Sequence, residues 1–179
     1  MSGKTYALSD LVRKRAVWKE EKRKVVFTNG VFDILHRGHG EYLAAAKQLG
    51  DVLIVGVNSD ASVRCIKGPL RPIVPEDDRA YLVSQLVPVD AVCIFAEETP
   101  LSIISALVPD VLVKGADWDV NDVIGKDVVE AAGGTVRTIP FVPNRSTTTI
   151  IDVIKARYTE PVLPRSVGTP SEKIPLGKA

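Results

Sequence analysis

Residues 25–39 read VVFTNGVFDILHRGH, and this stretch decides the fold. Its apolar start, Val25 to Phe27, predicts a buried strand. Apolar residues then recur at helical spacing after the stretch, at Tyr42, Leu43, Ala46 and Leu49. A polar turn that contains glycine lies between the two. A strand, a turn and a helix start in this order direct backbone N–H groups and the positive end of a helix dipole at one point, which favours an anion site.

The only two histidines of the chain, His36 and His39, both fall in this turn. Imidazoles can donate hydrogen bonds to charge that develops on a phosphate. Gly38, between them, is a poor helix residue by about 1 kcal/mol against Ala, which predicts a close backbone approach to a ligand. Zinc is an alternative, but zinc needs a third ligand, and only Asp33 is near. The pattern favours phosphate chemistry, and we predict no metal held by the protein.

Apolar runs alternate with helical patterns along the rest of the chain. Strands are predicted near residues 24–28, 51–57, 91–95, 111–114 and 135–139. A first helix, capped by Ser9 or Asp10, should reach about Arg23, and Ser146 should cap the last. Residues 67–72, with two prolines, are predicted to form a loop. The alternation predicts an α/β fold, a Rossmann-like three-layer sandwich around a five-stranded parallel sheet.

Ligands of such sheets bind at the carboxyl ends of the strands, where the strand order reverses. Polar or glycine residues follow several of the predicted strands, so we expect them to share one site: Thr28, Asn29, Gly30, Asn58, Lys114, Gly115 and Ser146.

Size and charge narrow the function classes. The 179 residues, 45% of them apolar, suit one domain, predicted over residues 1–158 and including the N-terminal helix; residues 159–179, polar and rich in proline, are predicted to be a disordered tail. A net charge of +1 argues against nucleic-acid and membrane-surface partners. The chain has no apolar run of membrane-spanning length. Cys65 and Cys93, without an export-signal pattern, indicate a reducing, cytoplasmic location.

Two motifs carry a family resemblance. Residues 29–39, Asn-Gly-x-Phe-Asp-x-x-His-x-Gly-His, resemble the HxGH signature of the nucleotidyltransferase superfamily, which includes glycerol-3-phosphate cytidylyltransferase and pantetheine-phosphate adenylyltransferase. Residues 146–151, STTTII, resemble its second signature, a helix start that contains Ser and Thr. The resemblance covers about residues 8–158 and is closest to the ADP-heptose synthase branch, which carries similar residues at 24–33, 67–72, 109–115 and 146–151.

This resemblance implies an activity. It implies that AMP passes from ATP to D-glycero-D-manno-heptose 1-phosphate, giving ADP-heptose and pyrophosphate for lipopolysaccharide core synthesis. It also implies Mg²⁺ as the counter-ion of the triphosphate and a homodimer. The alternative is a cytidylyltransferase that acts on glycerol 3-phosphate or another sugar or polyol phosphate. The arginine of that enzyme's Arg-Thr-Glu-Gly element is replaced here by Phe141, which favours the heptose branch.

The resemblance also distributes roles among residues. The catalytic candidates are His36, His39, Lys67 and Arg79, the last for a phosphate or for an ion pair with Glu76. The nucleotide-binding candidates are Thr28, Asn29, Gly30, Phe32, Gly38, Lys114, Gly115, Asp117, Ser146, Thr147 and Thr148. The acceptor-binding candidates are Asp33, Asn58, Arg71 and Arg145.

Two other functional classes fit the sequence less well. A catalytically silent nucleotide-binding protein on the same scaffold is disfavoured because His36, His39 and the Ser-Thr helix start are all intact. An NAD-dependent dehydrogenase is disfavoured because no Gly-x-Gly-x-x-Gly follows the first strand.

Overall fold

A parallel sheet of five strands forms the centre of the computed structural model, which describes residues 3–115, 122–140 and 142–159. The strands are β1 (Val25–Gly30), β2 (Val52–Asn58), β3 (Ala91–Phe95), β4 (Val111–Gly115) and β5 (Thr135–Ile139). Their order is β3-β2-β1-β4-β5, and all four neighbouring pairs are parallel. The chain builds outward from β1 to β3 and then returns to the other side of β1. The order therefore reverses between β1 and β4, where α/β sheets bind ligands.

Helices cover both faces of the sheet, as the sequence predicts. They are α1 (Leu8–Glu20), α2 (Arg37–Lys47), α3 (Asp60–Lys67), α4 (Glu76–Gln85), α5 (Leu101–Leu107), α6 (Lys126–Ala131) and α7 (Thr147–Tyr158). One core cluster joins the sheet to α1, α5 and α6 through Leu11, Ile104 and Val129. The other joins it to α2 and α4 through Leu43 and Val83. These two apolar layers around one sheet confirm the predicted three-layer α/β sandwich.

The first strand extends further than predicted. β1 continues to Gly30 rather than ending at Thr28, because its ladder with β2 still pairs Asn29 with Gly56 and Gly30 with Val57. The polar residues predicted as a turn thus begin inside the sheet. They are fixed by backbone hydrogen bonding before the chain reaches the histidines.

Two helices differ from the prediction. Helix α1 begins at Leu8 after Ala7, which gives no side-chain cap, so the predicted Ser9 or Asp10 cap is wrong. Helix α3 lies where the sequence suggested only a loop after β2. The Ser59 side chain caps it by accepting a hydrogen bond from the Ser62 N–H. A serine at this position is a helix-start signal in the sequence, but no helix was predicted from it.

The amino ends of the strands are held by an ion pair between a buried arginine and a partly exposed aspartate. Arg15 of α1 donates from Nη2 to Asp110, which precedes β4, at 3.0 Å. The other Asp110 oxygen accepts from the Val25 N–H at 2.7 Å. This carboxylate therefore ties α1, β1 and β4 together at the edge of the sheet opposite the ligand edge. Within the described ranges, no helix combines the length and the apolarity that crossing a bilayer requires.

Candidate active site

A pocket of about 700 Å³ opens at the carboxyl ends of the strands beside the reversal of strand order. Residues that follow β1, β2 and β4 line it together with the first turns of α2 and α7. Among the predicted site residues, the pocket brings together Asn29, Gly30, Phe32, Asp33, His36, Gly38, His39, Asn58, Lys67, Arg71, Lys114, Gly115, Arg145, Ser146, Thr147 and Thr148. Two motifs more than one hundred residues apart in sequence thus face the same cavity.

The two histidines are stacked on each other in this pocket. Their ring centroids lie 3.9 Å apart with 19° between the planes, and the Phe32 ring lies 5.3 Å from that of His39. The Nδ1 atoms of both rings are buried and have no hydrogen-bond partner among the described residues. Buried polar atoms are seldom left unpaired in folded proteins. Because these two Nδ1 atoms are inaccessible, the ring nitrogen that each histidine can offer to a ligand of the pocket is Nε2.

Both histidines are neutral at pH 7. Burial lowers the pKa of His39 to about 4; the adjacent His36 lowers it further, and Asp33 raises it only partly. Burial also lowers the pKa of His36, and the positive charge of Arg145 acts in the same direction. Each ring can therefore donate one N–H without carrying a full positive charge. Protonation becomes favourable only when negative charge arrives beside the rings.

Gly38 is required by close packing around His36. A Cβ atom at position 38 would lie 3.0 Å from two ring atoms of His36 and 3.2 Å from the Arg145 Cβ. The glycine thus lets the imidazole and the segment before α7 meet over the start of α2. The sequence predicted a close backbone approach to a ligand here, and in the structure the neighbours are two side chains of the site itself.

Asp33 organises the site instead of presenting a free carboxylate to it. Its oxygens accept hydrogen bonds from the Arg71 Nε at 2.6 Å and from the backbone N–H groups of Ile73 and Val74 at 2.8–3.0 Å. Burial alone raises the pKa of Asp33, but these donors outweigh it and the pKa lies below its usual value. Asp33 thus positions the 71–74 segment while lining the pocket, and its role in acceptor binding stays a prediction.

Four basic side chains line the described part of the pocket: Lys67, Arg71, Lys114 and Arg145. Lys114, one residue before the end of β4, donates a hydrogen bond to Asn29 Oδ1 at the end of β1. Arg145 lies at the exposed rim before α7, and Lys67 ends α3. Cations outnumber the single lining carboxylate, Asp33, so the cavity is suited to ligands with several negative charges.

Arg79, predicted as catalytic, does not reach the pocket. Its side chain is fully buried, with Nε donating to Val74 O at 2.8 Å, Nη1 to Val31 O at 2.6 Å and Nη2 to Asp60 Oδ1 at 2.8 Å. The proposed ion-pair partner, Glu76, is also wrong, because the carboxylate that Arg79 contacts is Asp60. The catalytic assignment is therefore corrected: Arg79 joins the loop after β1 to α3 and α4.

Thr28 is a second correction. It is fully buried in β1, and its hydroxyl donates to Val113 O at 3.0 Å and shares a 2.7 Å hydrogen bond with the Tyr42 hydroxyl. The residue therefore supports the strand below the pocket and is not among the residues that line it. Asn58 does line the pocket, with its amide donating to Ser62 Oγ at 3.0 Å.

The start of α7 forms one wall of the cavity. Ser146 caps this helix, as predicted, because its Oγ accepts from the Thr149 N–H at 3.0 Å. Thr147 donates to the Ile34 carbonyl at 3.5 Å, which joins the wall to the histidine loop, and Thr148 is exposed toward the cavity. The N–H groups of a first helical turn are ready-made donors for a phosphate.

Some parts of the site were missed or lie outside the described residues. Tyr42 and Thr149 also line the pocket. Tyr42 is a core residue, as its helical spacing predicts, and its position one turn after His39 also brings it to the pocket. Asp117 and Phe141 fall outside the described residues. No cluster of three or more His, Cys, Asp or Glu side chains within the described ranges has the arrangement of a metal site.

Comparisons with known proteins agree with this arrangement. A family model described as cytidylyltransferase-like matches residues 27–158. The bifunctional protein HldE of Trichlorobacter lovleyi is 53% identical over 153 residues, which cover 86% of this chain and 30% of that protein. The protein of the same name from Campylobacter concisus is 58% identical over 134 residues, covering 75% of this chain and 28% of its own length. The chain thus spans less than a third of these relatives.

A solved structure is similar as well. The crystal structure of the lipopolysaccharide core biosynthesis protein from Thermoplasma volcanium matches with a TM-score of 0.57 and 33% identity. The match covers 67% of this chain and 97% of that one.

Proposed function

The chain belongs to the cytidylyltransferase-like family and is a nucleotidyltransferase, and we propose that its reaction is adenylyl transfer from ATP to D-glycero-D-manno-heptose 1-phosphate. The products are ADP-heptose and pyrophosphate, as lipopolysaccharide core synthesis requires. The stacked pair of His36 and His39, neutral at pH 7 and surrounded by four basic side chains, carries this proposal. Such a pocket is suited to two polyanions, and its N–H groups can donate hydrogen bonds to the oxygens of the phosphorus at which the two react.

The reaction needs no protein nucleophile. An oxygen of the sugar phosphate attacks the α-phosphorus of ATP, a new P–O bond forms, and the bond to the β-phosphate breaks with its electron pair leaving on pyrophosphate. The acceptor oxygen is already anionic, so no general base has to remove a proton from it. The enzyme must align the two phosphates and stabilise the charge that develops on the equatorial oxygens.

His36 and His39 supply the donors for that charge in this proposal. Their N–H groups are held by ring stacking and by the packing at Gly38, so they do not have to reorganise during the reaction. The lowered pKa values keep the empty pocket from accumulating more positive charge. A preorganised donor of this kind is worth about 100-fold or more in rate.

We assign the binding of the phosphate groups to the basic residues and to the first turn of α7. Lys114, held by Asn29 beside the sheet, is suited to the α-phosphate, and the first turn of α7 to the β- and γ-phosphates. Lys67, Arg71 and Arg145 reach the pocket from other elements and are assigned to the acceptor phosphate. Arg71 keeps its position through the Asp33 hydrogen bond, so part of its orientation entropy is lost before substrate binds.

Mg²⁺ is proposed as the partner of the triphosphate. The described part of the pocket does not form a cage for it, because both oxygens of Asp33, the one carboxylate among the described lining residues, are already hydrogen-bonded. That donor set fits a cation held mainly by phosphate oxygens and water, the usual mode for Mg²⁺ in nucleotide sites. When bound, the ion would neutralise charge on the departing pyrophosphate.

The heptose acceptor is supported by similarity at two levels. The residues of the pocket, from 24–33, 67–72 and 146–151, resemble the ADP-heptose branch. A relative with a solved structure is named for lipopolysaccharide core biosynthesis. Since the chain spans about 30% of relatives that are called bifunctional, we assign it only one of their two activities. A cytoplasmic homodimer is proposed on the resemblance alone.

Side-by-side kinetics test the proposal. The purified chain is given ATP or CTP with heptose 1-phosphate, in both anomers, or with glycerol 3-phosphate, and pyrophosphate release is measured. We expect kcat/KM for ATP with heptose 1-phosphate to exceed that for CTP with glycerol 3-phosphate by at least ~10-fold. A site that lacks hydrogen-bond partners for the polar edge of a base discriminates against that base. The His36→Ala variant, expected to be ~100-fold slower, controls for contaminating activity.

The outcomes separate the alternatives. A higher kcat/KM for CTP with glycerol 3-phosphate would replace the heptose assignment by the cytidylyltransferase one. Pyrophosphate release that His36→Ala leaves unchanged would refute the role of the histidine pair. Nucleotide binding without product from any acceptor would favour a binding protein on the same scaffold.

A further inference from the structure

A second cleft lies at the opposite edge of the sheet from the active-site pocket. It has a volume of about 230 Å³ and is lined by Arg15, Lys19, Lys22, Arg23, Lys24 and Asp110. Lys24 directly precedes β1 and Asp110 directly precedes β4, so this amino-edge cleft lies where the strands begin. The six residues of β1 put it roughly 20 Å from the histidine loop. A ligand of one site therefore does not fill the other.

Three lysine ammonium groups of the amino-edge cleft are unpaired. The side chains of Lys19, Lys22 and Lys24 have no hydrogen-bond or ion-pair partner among the described residues. Arg23 is engaged, with Nη2 donating to Asp51 O at 3.3 Å and Nη1 at 3.9 Å from Glu21. Cations at the carboxyl end of a helix such as α1 interact favourably with the helix dipole and so stabilise the helix. The three lysine side chains are exposed and are solvated by water when no ligand is bound, and together they give the cleft a positive potential.

Arg15 gives the second, independent observation. Its side chain is only 10% exposed. Nε donates to Leu107 O at 3.2 Å, and Nη2 donates to Val108 O and to Asp110 at 3.0 Å. Nη1 is buried with no partner among the described residues. An unpaired guanidinium nitrogen in the protein interior is costly, so a structure normally supplies an oxygen for it.

We propose that the amino-edge cleft is an anion site for a compact phosphate compound that carries two or more negative charges. The three lysines supply exposed donors and Arg15 adds its positive charge behind them, while Asp110, the one carboxylate among the described lining residues, is already satisfied by Arg15 and by the Val25 N–H. A cavity of about 230 Å³ accommodates an ion of the size of inorganic pyrophosphate but not a nucleotide chain. The near-neutral net charge also disfavours an extended nucleic acid.

The test is titration of the full chain with inorganic pyrophosphate, followed by backbone amide NMR shifts. We expect shifts at residues 19–24 and 110 in addition to any at the active-site pocket. In the Lys19→Gln/Lys22→Gln variant, the dissociation constant read from the amino-edge amides should rise at least ~10-fold. The control, Lys155→Gln/Arg157→Gln, removes the same charge from exposed positions of α7 and should bind as the unmodified chain does.

Three outcomes would overturn the proposal. The first is that pyrophosphate shifts amides only at the carboxyl edge of the sheet. The second is that amino-edge binding is as tight in Lys19→Gln/Lys22→Gln as in the α7 control. The third is that a short duplex oligonucleotide binds the same amides more tightly than pyrophosphate does at equal salt, which would indicate an extended polyanion.

Discussion

His39 illustrates how the environment of one side chain sets its chemistry. The free imidazole has a pKa of 6.5, and burial together with the adjacent His36 lowers that of His39 to about 4. The unfolded chain therefore takes up protons before the folded chain does as the pH falls. By linkage, the free energy of unfolding must decrease in that window.

We predict that the free energy of unfolding falls by about 2 kcal/mol from His39 alone between pH 7 and pH 5. His36 acts in the same direction, since its pKa is also lowered. Asp33 does not contribute there, because its lowered pKa puts its titration below pH 3.8. Urea unfolding at the two pH values measures the difference. In the His39→Gln variant the free energy of unfolding should depend much less steeply on pH. An equally steep dependence in that variant would contradict the assignment.

Gly38 and Gly40 offer a matched pair of substitutions within one turn of α2. A Cβ at position 38 meets the His36 ring at 3.0 Å, whereas at position 40 it meets nothing within 4 Å. Gly38→Ala should lower kcat at least ~10-fold, because displacing a catalytic group by a fraction of an ångström is costly. Gly40→Ala should retain kcat and raise the free energy of unfolding by up to about 1 kcal/mol. Pyrophosphate-release assays and thermal melts measure both, and equal kcat values would show that the His36 ring adapts.

At the scale of elements, Arg79 joins three segments that the sequence leaves apart. Its guanidinium holds the loop after β1 through Val31, the start of α3 through Asp60 and the start of α4 through Val74. Arg79→Met would leave two carbonyls and a carboxylate without their buried donor. We predict a loss of about 3 kcal/mol in the free energy of unfolding.

Arg64→Met on the exposed side of α3 is the control, expected to stay within about 0.5 kcal/mol of the unmodified chain. Chemical denaturation of the three proteins measures these differences. Unchanged stability of Arg79→Met together with a large loss of activity would reverse the interpretation and return Arg79 to the catalytic residues.

Some of these features could be predicted from the sequence and others could not. Apolar residues predicted the central strands well, since parallel strands buried on both faces are largely apolar, as in β2, whereas the edge strand β5, TVRTI, has exposed residues and is less apolar. The burial of Arg79 was not predictable, because arginine is rarely buried and its partners lie up to 48 residues away. The Asp33 contacts with residues 71–74 are equally nonlocal. Helix α3 was missed because its sequence, DASVRCIK, is short and carries no long apolar periodicity.

At the scale of the molecule, the sheet separates two cationic cavities. The active-site pocket gathers residues at the carboxyl ends of the strands, and the amino-edge cleft gathers residues at their beginnings. The strands β1 and β4 run from the amino-edge cleft at their beginnings to the active-site pocket at their carboxyl ends. A chain with a net charge of only +1 thus concentrates its basic side chains where anions are expected.

The end of the chain gives the last prediction. Among the described residues, both core clusters contain nothing after Ile139, and α7 contributes no fully buried residue, with Val153, Ile154 and Tyr158 exposed. Removing residues 161–179 should therefore change the melting temperature by less than about 2 °C, since little apolar area is available to be lost. Pyrophosphate release should also persist, because the lining residues within the described part of the chain precede α7's second turn. A fall of more than about 5 °C would instead mean that the tail covers the apolar side chains of α7, and Ile154→Ser in the full chain should then reproduce part of that fall.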